Sequence, residues 1–149
     1  MKGFPDLPPL WLLGFILIGI AVDQMFGPGV FSNATTQGVG QGIAVAGVAL
    51  ILWAALAFRR HRTPIEPHHT PKALISDGPY RFSRNPIYLG MLIILAGAVV
   101  YWGRPLLGLL VPLFAVVLEL RFIRPEEDLL RQTFGDAAEH YLSQTKRWI

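Results

Sequence analysis

Four long apolar stretches constrain what this chain can fold into more than any other feature of its sequence. Together they hold only three charged residues, Asp23, Glu119 and Arg121, and they lie at residues 10–26, 38–58, 87–101 and 106–123. In lipid, a backbone satisfies its own hydrogen bonds only as a helix or a closed barrel, and apolar stretches of roughly this length suit helices. The sequence therefore predicts an all-α fold, an integral membrane bundle of about four transmembrane helices in a single domain, residues 1–149.

The boundaries of the spans carry their own signals. The apolar run after Lys2 resembles a signal peptide, but Asp23-Gln24-Met25 follows it where a cleavage site would have small residues, so we expect a retained span. The turn Trp102-Gly103-Arg104-Pro105 makes a helical hairpin of the third and fourth spans. Glycines recur in the second span, where they permit close helix approach and leave a homodimer possible: Gly38, Gly40, Gly42 and Gly47.

Beyond the fourth span the pattern predicts cytosolic helices. Pro125 suits the first position of a helix, and the acids after it, Glu126 and Glu127, suit its positive end. Asp136 with Glu139 three residues later resembles a capping box that starts a final helix.

Lysine and arginine predict the orientation of the bundle. An even number of spans puts both termini on one side, and that side holds 12 of the 13 basic residues, whereas the other side holds only Arg104. By the positive-inside rule, both termini and the proline-rich segment from 63 to 86 are expected in the cytoplasm, in the inner membrane of a bacterium.

Composition excludes several classes of function. The chain has no cysteine, so thiolate metal sites and cysteine nucleophiles are absent. It has no phosphate-binding glycine loop and no serine nucleophile elbow. A net charge of +3 is modest, and no nucleic-acid partner is expected. His61, His68 and His69 share one segment with Glu66, but their spacing is poor for joint ligation, and no metal site is expected.

The first segment that could carry chemistry precedes the third span. Residues 77–90 contain two arginines, a Gly-Pro turn and two tyrosines, and Asn85-Pro86 is typical of a helix start, with Asn85 as the cap. A helix start of this kind suits an anion, and Arg84 beside it could bind a carboxylate or phosphate. The alternative is that these arginines only meet lipid headgroups where the chain enters the membrane.

The second segment runs from Glu119 to Glu127. An ionisable residue inside an apolar run usually faces a cavity or a partner, and Glu119 is such a residue. If the helix continues past Pro125, Glu126 returns to nearly the same face seven residues later, and both acids could share a polar pocket with the arginines of the first segment. Alternatively, Glu119 pairs with Arg121 or Arg124, and the later acids only serve the helix dipole.

These segments resemble a known family. The stretch G-P-Y-R-F-S-R-N-P-I-Y-L-G at 78–90, a helical hairpin, E-E-D-L-L-R-Q-T-F-G at 126–135 and Y-L-S-Q-T-K-R-W at 141–148 resemble the isoprenylcysteine carboxyl methyltransferase and phospholipid methyltransferase superfamily. The resemblance covers about residues 63–149. It implies S-adenosylmethionine as methyl donor, in a cytosol-facing pocket formed by residues 76–90 and 119–149, and a lipophilic or lipid acceptor that arrives from the bilayer.

The resemblance also implies roles for residues. The residues expected to bind the donor are Tyr80, Arg81, Arg84, Asn85, Pro86, Tyr88, Leu89, Gly90, Glu126 and Glu127. Those expected at the reaction itself are Arg84, Asn85 and Glu119, with Glu119 as a base if the acceptor is an amine. Asn85 stands where prenylcysteine methyltransferases usually have histidine, and an amide does not titrate near neutrality, which argues against a prenylcysteine acceptor.

Two other functions stay open at this level. A non-catalytic membrane protein that binds lipid or cofactor could retain the same fold. Sterol reductases resemble this family in their C-terminal part and use a nicotinamide cofactor, but they carry many more spans than 149 residues allow.

Overall fold

The computed structural model describes residues 6–61 and 74–149, and every regular element within them is helical. Two long helices come first, α1 (Pro8–Phe26) and α2 (Ala34–Arg60), followed by a short 3-10 turn at Gly78–Arg81. The remaining elements are α3 (Pro86–Trp102), a 3-10 turn (Pro105–Leu109), α4 (Leu110–Leu118), a π-helical segment (Glu119–Ile123), α5 (Arg124–Phe134) and α6 (Asp136–Gln144).

Helices cover all four predicted spans. Within the described residues, three of them are long and apolar enough to cross a membrane: Pro8–Phe26, Ala34–Arg60 and the continuous helix Pro105–Phe134. The helix that covers the third span, Pro86–Trp102, is apolar but shorter. The all-helical membrane bundle is confirmed, while the number of four crossings stays a prediction.

Local sequence explains the helix ends. Pro8 lies in the first turn of α1, where a missing N–H costs nothing, and Gly27 ends the helix with a φ of 72°. Asn33 caps α2, because its side chain accepts from the N–H groups of Thr35 and Thr36, and Thr36 bonds back to the Asn33 N–H. The second helix therefore begins four residues before the predicted span.

Glycines bring α2 and α3 into backbone contact. Gly40 and Gly47 on α2 oppose Gly97 and Gly90 on α3, with the same seven-residue spacing on both helices. A Cβ on Gly97 would lie 2.6 Å from the carbonyl oxygen of Gly40, and one on Gly47 would lie 2.6 Å from that of Gly90. Two of the four predicted packing glycines thus serve α3, whereas Gly38 and Gly42 face open space.

Contacts between segments at the helix ends hold the bundle together at both of its opposite ends. At one end, the N–H of Phe31 donates to the carbonyl of Gly103 at 2.9 Å, and Arg104 donates to the carbonyl of Gly27 at 2.6 Å. At the other end, Arg121 pairs with Asp6 at 2.8 Å. The second end is the one that collects the polar residues.

One prediction about the helices is wrong. Pro125 does not open a separate helix: α4, the π segment and α5 follow one another without a break, and Pro125 sits inside this continuous helix. Glu126 and Glu127 therefore have no free helix end beside them, which removes the helix dipole as the reason for their presence. The final helix ends at Gln144, and residues 145–149 form a non-helical tail.

We expect Gly97→Val to destabilise the bundle, since the new side chain would push α2 and α3 apart. Overpacking of this kind costs about 1–3 kcal/mol or more. The measurement is the thermal unfolding midpoint in detergent, with Gly42→Val as the matched control because a Cβ there meets nothing within 4 Å. Equal midpoints for the two variants would contradict the glycine contact.

Candidate functional site

The start of α3 and the C-terminal tail lie against each other at the polar end of the bundle. The backbone N–H of Arg84 donates to the carbonyl of Lys146 at 3.0 Å. The side-chain amide of Asn85 donates to the carbonyl of Arg147 at 3.0 Å, and the Ser83 hydroxyl donates to the same carbonyl at 3.4 Å. These bonds fix the tail beside Arg84.

Asn85 therefore does not act as the predicted helix cap. Its side chain makes no cap hydrogen bond, although α3 does begin at Pro86. Its amide nitrogen instead donates to the tail, which fixes the orientation of the side chain. Asn85 is buried, so its amide needs such a partner.

A buried carboxylate lies at the centre of the site. Glu127 is only 4% exposed and accepts hydrogen bonds from two arginines. Arg84 Nη1 lies 3.0 Å from Glu127 Oε1, while Arg147 donates from Nε to Oε1 at 2.9 Å and from Nη2 to Oε2 at 2.7 Å. The Arg147 contact is the two-pronged geometry that guanidinium and carboxylate groups favour. These bonds to Glu127 raise the pKa of Arg147, which keeps it charged.

Arg147 also joins Glu119 to the same cluster. Its Nη1 donates to Glu119 Oε1 at 3.1 Å, and Arg124 donates to that oxygen at 3.0 Å. Glu119 thus pairs with Arg124, one of its two expected partners, whereas Arg121 turns away to Asp6. We name these five residues the ion-pair cluster: Arg84, Glu119, Arg124, Glu127 and Arg147.

The π-helical segment decides which acid joins Glu119. In a regular helix, Glu126 would return to the face of Glu119 after seven residues. The wider turn at Glu119–Ile123 inserts about one extra residue, so Glu127 takes that place instead. The predicted pairing of Glu119 with Glu126 is therefore replaced by one with Glu127, through Arg147.

Glu126 points to a different neighbour. Its carboxylate accepts a hydrogen bond from the hydroxyl of Tyr88, which is buried on α3. Burial, followed by the neighbouring Tyr141 and Glu126, raises the pKa of Tyr80 well above its ordinary value. Tyr80, Tyr88 and Glu126 thus form a second polar group, next to the ion-pair cluster and close to the apolar core.

Tyr141 ties the final helix to this group. Its hydroxyl donates to the carbonyl of Tyr80 at 3.0 Å, and burial raises the pKa of Tyr141 to about 12. It therefore stays protonated at neutral pH and keeps its role as a donor.

One donor in the cluster lacks a partner within the described part of the chain. The Nε of Arg84 is buried and makes no hydrogen bond to any described residue. A buried N–H without a partner is costly, and an acceptor from a bound molecule would satisfy it. The ion-pair cluster also contains three cations and two anions, and its surplus positive charge suits an anionic group at that position.

The other residues predicted to bind the donor lie outside the ion-pair cluster and differ in their exposure. Arg81 is exposed and has no ion pair with any described residue. Gly90 faces α2, where a Cβ would meet Ile51 at 2.5 Å. Pro86 is fully buried at the start of α3, and Leu89 is half-buried one turn further along.

Three polar residues of the site were not singled out from the sequence: Ser83, Tyr141 and Arg147. The terminal stretch at 141–148 contributed only to the resemblance. Local sequence patterns could not predict the pairing of Arg147 with Glu127, because the two residues are 20 positions apart.

The histidine segment lies mostly outside the described residues, including His68, His69 and Glu66. His61 is described, and its Nε2 lies 2.9 Å from a carboxylate oxygen of Asp77. Within residues 6–61 and 74–149, no group of three or more His, Asp or Glu side chains is arranged to hold a metal ion.

Comparison with known families identifies a match that spans this site. A sequence model described as phospholipid methyltransferase matches residues 35–137, more than half of the chain. The matched region runs from α2 to the first residues of α6, and it includes Arg84, Glu119 and Glu127 but not Arg147. A search of curated proteins found no match.

We expect Arg147→Ala to lower the free energy of unfolding by about 1–3 kcal/mol, because buried Glu127 would lose one of its two cations. Arg60→Ala is the control, since Arg60 is an exposed arginine at the end of α2 and exposed charges contribute about 0–1 kcal/mol. Thermal unfolding of both variants in the same detergent measures the difference. Equal loss in the two variants would show that Arg147 does not hold Glu127.

Proposed function

Since the chain belongs to the phospholipid methyltransferase family, we propose that it transfers a methyl group from S-adenosylmethionine to a small lipophilic or lipid acceptor at the cytosolic face of the membrane. Family membership itself implies a membrane-located methyltransferase that acts on a lipid-type substrate. The observation that carries the choice of donor is the ion-pair cluster around buried Glu127, in which the Arg84 Nε has no partner among the described residues.

The residues present fit the chemistry of this donor. S-adenosylmethionine supplies an activated methyl group on a sulfonium, and it also bears a carboxylate, an amino group and a ribose diol. We assign the carboxylate to Arg84, whose Nε has no acceptor among the described residues, and the amino or ribose groups to Glu126 and Glu127. Tyr88 and Leu89 supply aromatic and apolar surface for the adenine.

Arg147 and Glu127 position Arg84 in this arrangement. Glu127 holds the Arg84 guanidinium by Nη1, and the buried Nε, which has no partner among the described residues, would donate to the carboxylate of the bound donor. Methyl transfer is an in-line displacement, so rigid alignment of the two reactants supplies much of the acceleration. Arg84 meets that requirement, because hydrogen bonds hold both its backbone N–H and its guanidinium.

Glu119 is our candidate for a base where the acceptor is an amine. Its Oε1 is held by Arg124 and Arg147, while its Oε2 makes no hydrogen bond within the described residues. Oε2 would take the proton, while Oε1 would keep its hydrogen bonds to Arg124 and Arg147. A carboxylate acceptor would need no such base.

We expect the purified protein to bind S-adenosylmethionine and its demethylated product, but not NADPH. Arg84→Ala and Glu127→Gln should each weaken donor binding by about 1.5–3 kcal/mol, or roughly 10- to 100-fold, through the loss of charge-assisted hydrogen bonds. Titration calorimetry in detergent measures the affinities, and thermal unfolding confirms that each variant is folded.

The matched controls for this binding test are Arg60→Ala and Glu139→Gln, which change exposed charged residues outside the ion-pair cluster. Both should bind the donor like the unmodified chain. Tight binding of NADPH alone would favour a reductase. Donor binding with no transfer of a labelled methyl group to any component of a bacterial lipid extract would favour a non-catalytic role.

We expect the ion-pair cluster to face the cytoplasm. The chain has no cysteine, so single cysteines report their own side without background. Ala34→Cys, at the exposed start of α2, should react with a membrane-impermeant maleimide on intact spheroplasts. Ser143→Cys, on exposed α6, should react only after permeabilisation, and the reverse pattern would overturn the proposed orientation.

A further inference from the structure

Asp23 and Arg104 are isolated charges at the end of the bundle opposite the ion-pair cluster. Asp23 is the only charged residue from 7 to 58, and Arg104 is the only one from 85 to 118. An ionisable residue in an apolar stretch is costly, and it usually faces a partner or a polar cavity. Neither residue has a role in the proposed methyl transfer.

Asp23 lies on the face of α1 that contacts the turn between α3 and α4. It is four residues after Gly19 and four before Gly27, so the three residues follow one another along one face of the helix. A Cβ on Gly19 would lie 2.2 Å from the ring of Trp102. The carbonyl of Gly27 accepts from Arg104 Nη2 at 2.6 Å. Since both of its neighbours on this face contact the turn, Asp23 faces the turn as well.

Each of these two side chains has one buried atom without a hydrogen-bond partner. The atoms are Asp23 Oδ1 and Arg104 Nε, and neither bonds to any residue in the described part of the chain, so they do not bond to each other. The guanidinium of Arg104 is held in place, because its Nη2 donates to Gly27 and its Cζ lies 5.8 Å from the centre of the Phe26 ring. A buried donor and a buried acceptor are both costly to leave unsatisfied.

We propose that Asp23 and Arg104 form an ion pair bridged by one bound water molecule, which accepts from Arg104 Nε and donates to Asp23 Oδ1. One water supplies both the acceptor and the donor that these atoms need. Buried waters typically bridge polar groups that do not reach each other, and such a bridge is nearly as favourable as a direct hydrogen bond. The bridge also brings two opposite charges together in a region that is otherwise apolar.

The bridged pair gives α1 a second attachment to the rest of the bundle. Asp6 and Arg121 already pair where α1 begins, and the bridged pair holds α1 where it ends. The matched residues 35–137 include Arg104 and Arg121 but not α1. Two arginines of the matched region thus hold, at its two ends, a helix that the family model does not cover.

A double-mutant cycle on the thermal unfolding midpoint in detergent tests the pairing. Asp23→Asn and Arg104→Gln should each lower the midpoint by roughly 2–10 °C, because each leaves the opposite charge buried without its partner. The double variant should lose clearly less than the sum of the two single losses. Arg60→Gln, the same change at an exposed arginine, is the matched control, and its effect should simply add to that of Asp23→Asn.

The water itself is tested on the unmodified protein. A crystal structure grown from a lipid mesophase, at a resolution that shows ordered water, should contain one water within hydrogen-bond distance of both Asp23 Oδ1 and Arg104 Nε. The same water should be missing from the structure of Asp23→Ala, which removes its acceptor, and present in that of Arg60→Gln.

Additive losses in the cycle of Asp23→Asn with Arg104→Gln would overturn the proposal, as would a direct contact between the two side chains with no water between them. If a variant does not fold, the structure of the unmodified protein still decides the question. The result does not depend on methyl transfer, since folded Asp23→Asn should bind S-adenosylmethionine like the unmodified chain. Failure of the unmodified chain to bind this donor would contradict the proposed function and leave the bridged pair standing.

Discussion

The burial of the Glu127 carboxylate is the constraint on which the polar end of this protein depends. A carboxylate taken out of water costs several kcal/mol unless cations and hydrogen bonds replace its hydration. Two arginines supply them, and they come from opposite directions along the chain: Arg84 from the start of α3 and Arg147 from the tail. One buried acid on α5 therefore holds two other segments, the start of α3 and the tail, against its own helix.

The helix that carries Glu127 reaches this position because of its π-helical turn. A regular helix from Leu110 to Phe134 would turn Glu127 away from the face of Glu119. The wider turn at Glu119–Ile123 restores that face one residue later, so Arg147 can bridge both acids. Such turns are rare in helices and are often found at functional sites. Here the turn also leaves Glu126 directed at Tyr88, so adjacent acids face two different surroundings.

Much of the fold follows from the sequence, because the membrane leaves few choices to an apolar segment. The apolar runs and the glycine spacing of α2 predicted the helices and part of their packing. The site followed less completely. Pro125 is typical of a helix start, and only the backbone on both sides of it shows that the helix continues. Asn85 is a residue type that often caps helices, but its amide donates to the carbonyl of Arg147, 62 residues further along the chain.

The same distance in sequence explains why Arg147 escaped prediction. Periodicity and capping rules predict contacts between residues within a turn or two of each other. The ion pairs of this cluster join residues that are far apart in sequence and that only the fold brings together. Glu119 was recognisable because a charge inside an apolar run is expensive wherever it lies. Its choice of Arg124 over Arg121 depended on Asp6, which lies 115 residues before Arg121.

These contacts separate two polar environments on one helix. Arg121 pairs with Asp6 near the start of α1, while Arg124 shares Glu119 with Arg147 of the tail. The core between them is apolar and aromatic, with Tyr88 and Phe122 6.2 Å apart. The proposed transfer from a water-soluble donor to a membrane-dissolved acceptor would need this kind of division, because each reactant would approach from its own solvent. Tyr88 belongs to both sides, since its ring lies in the apolar core while its hydroxyl binds Glu126. That position makes it the residue at which the two environments meet.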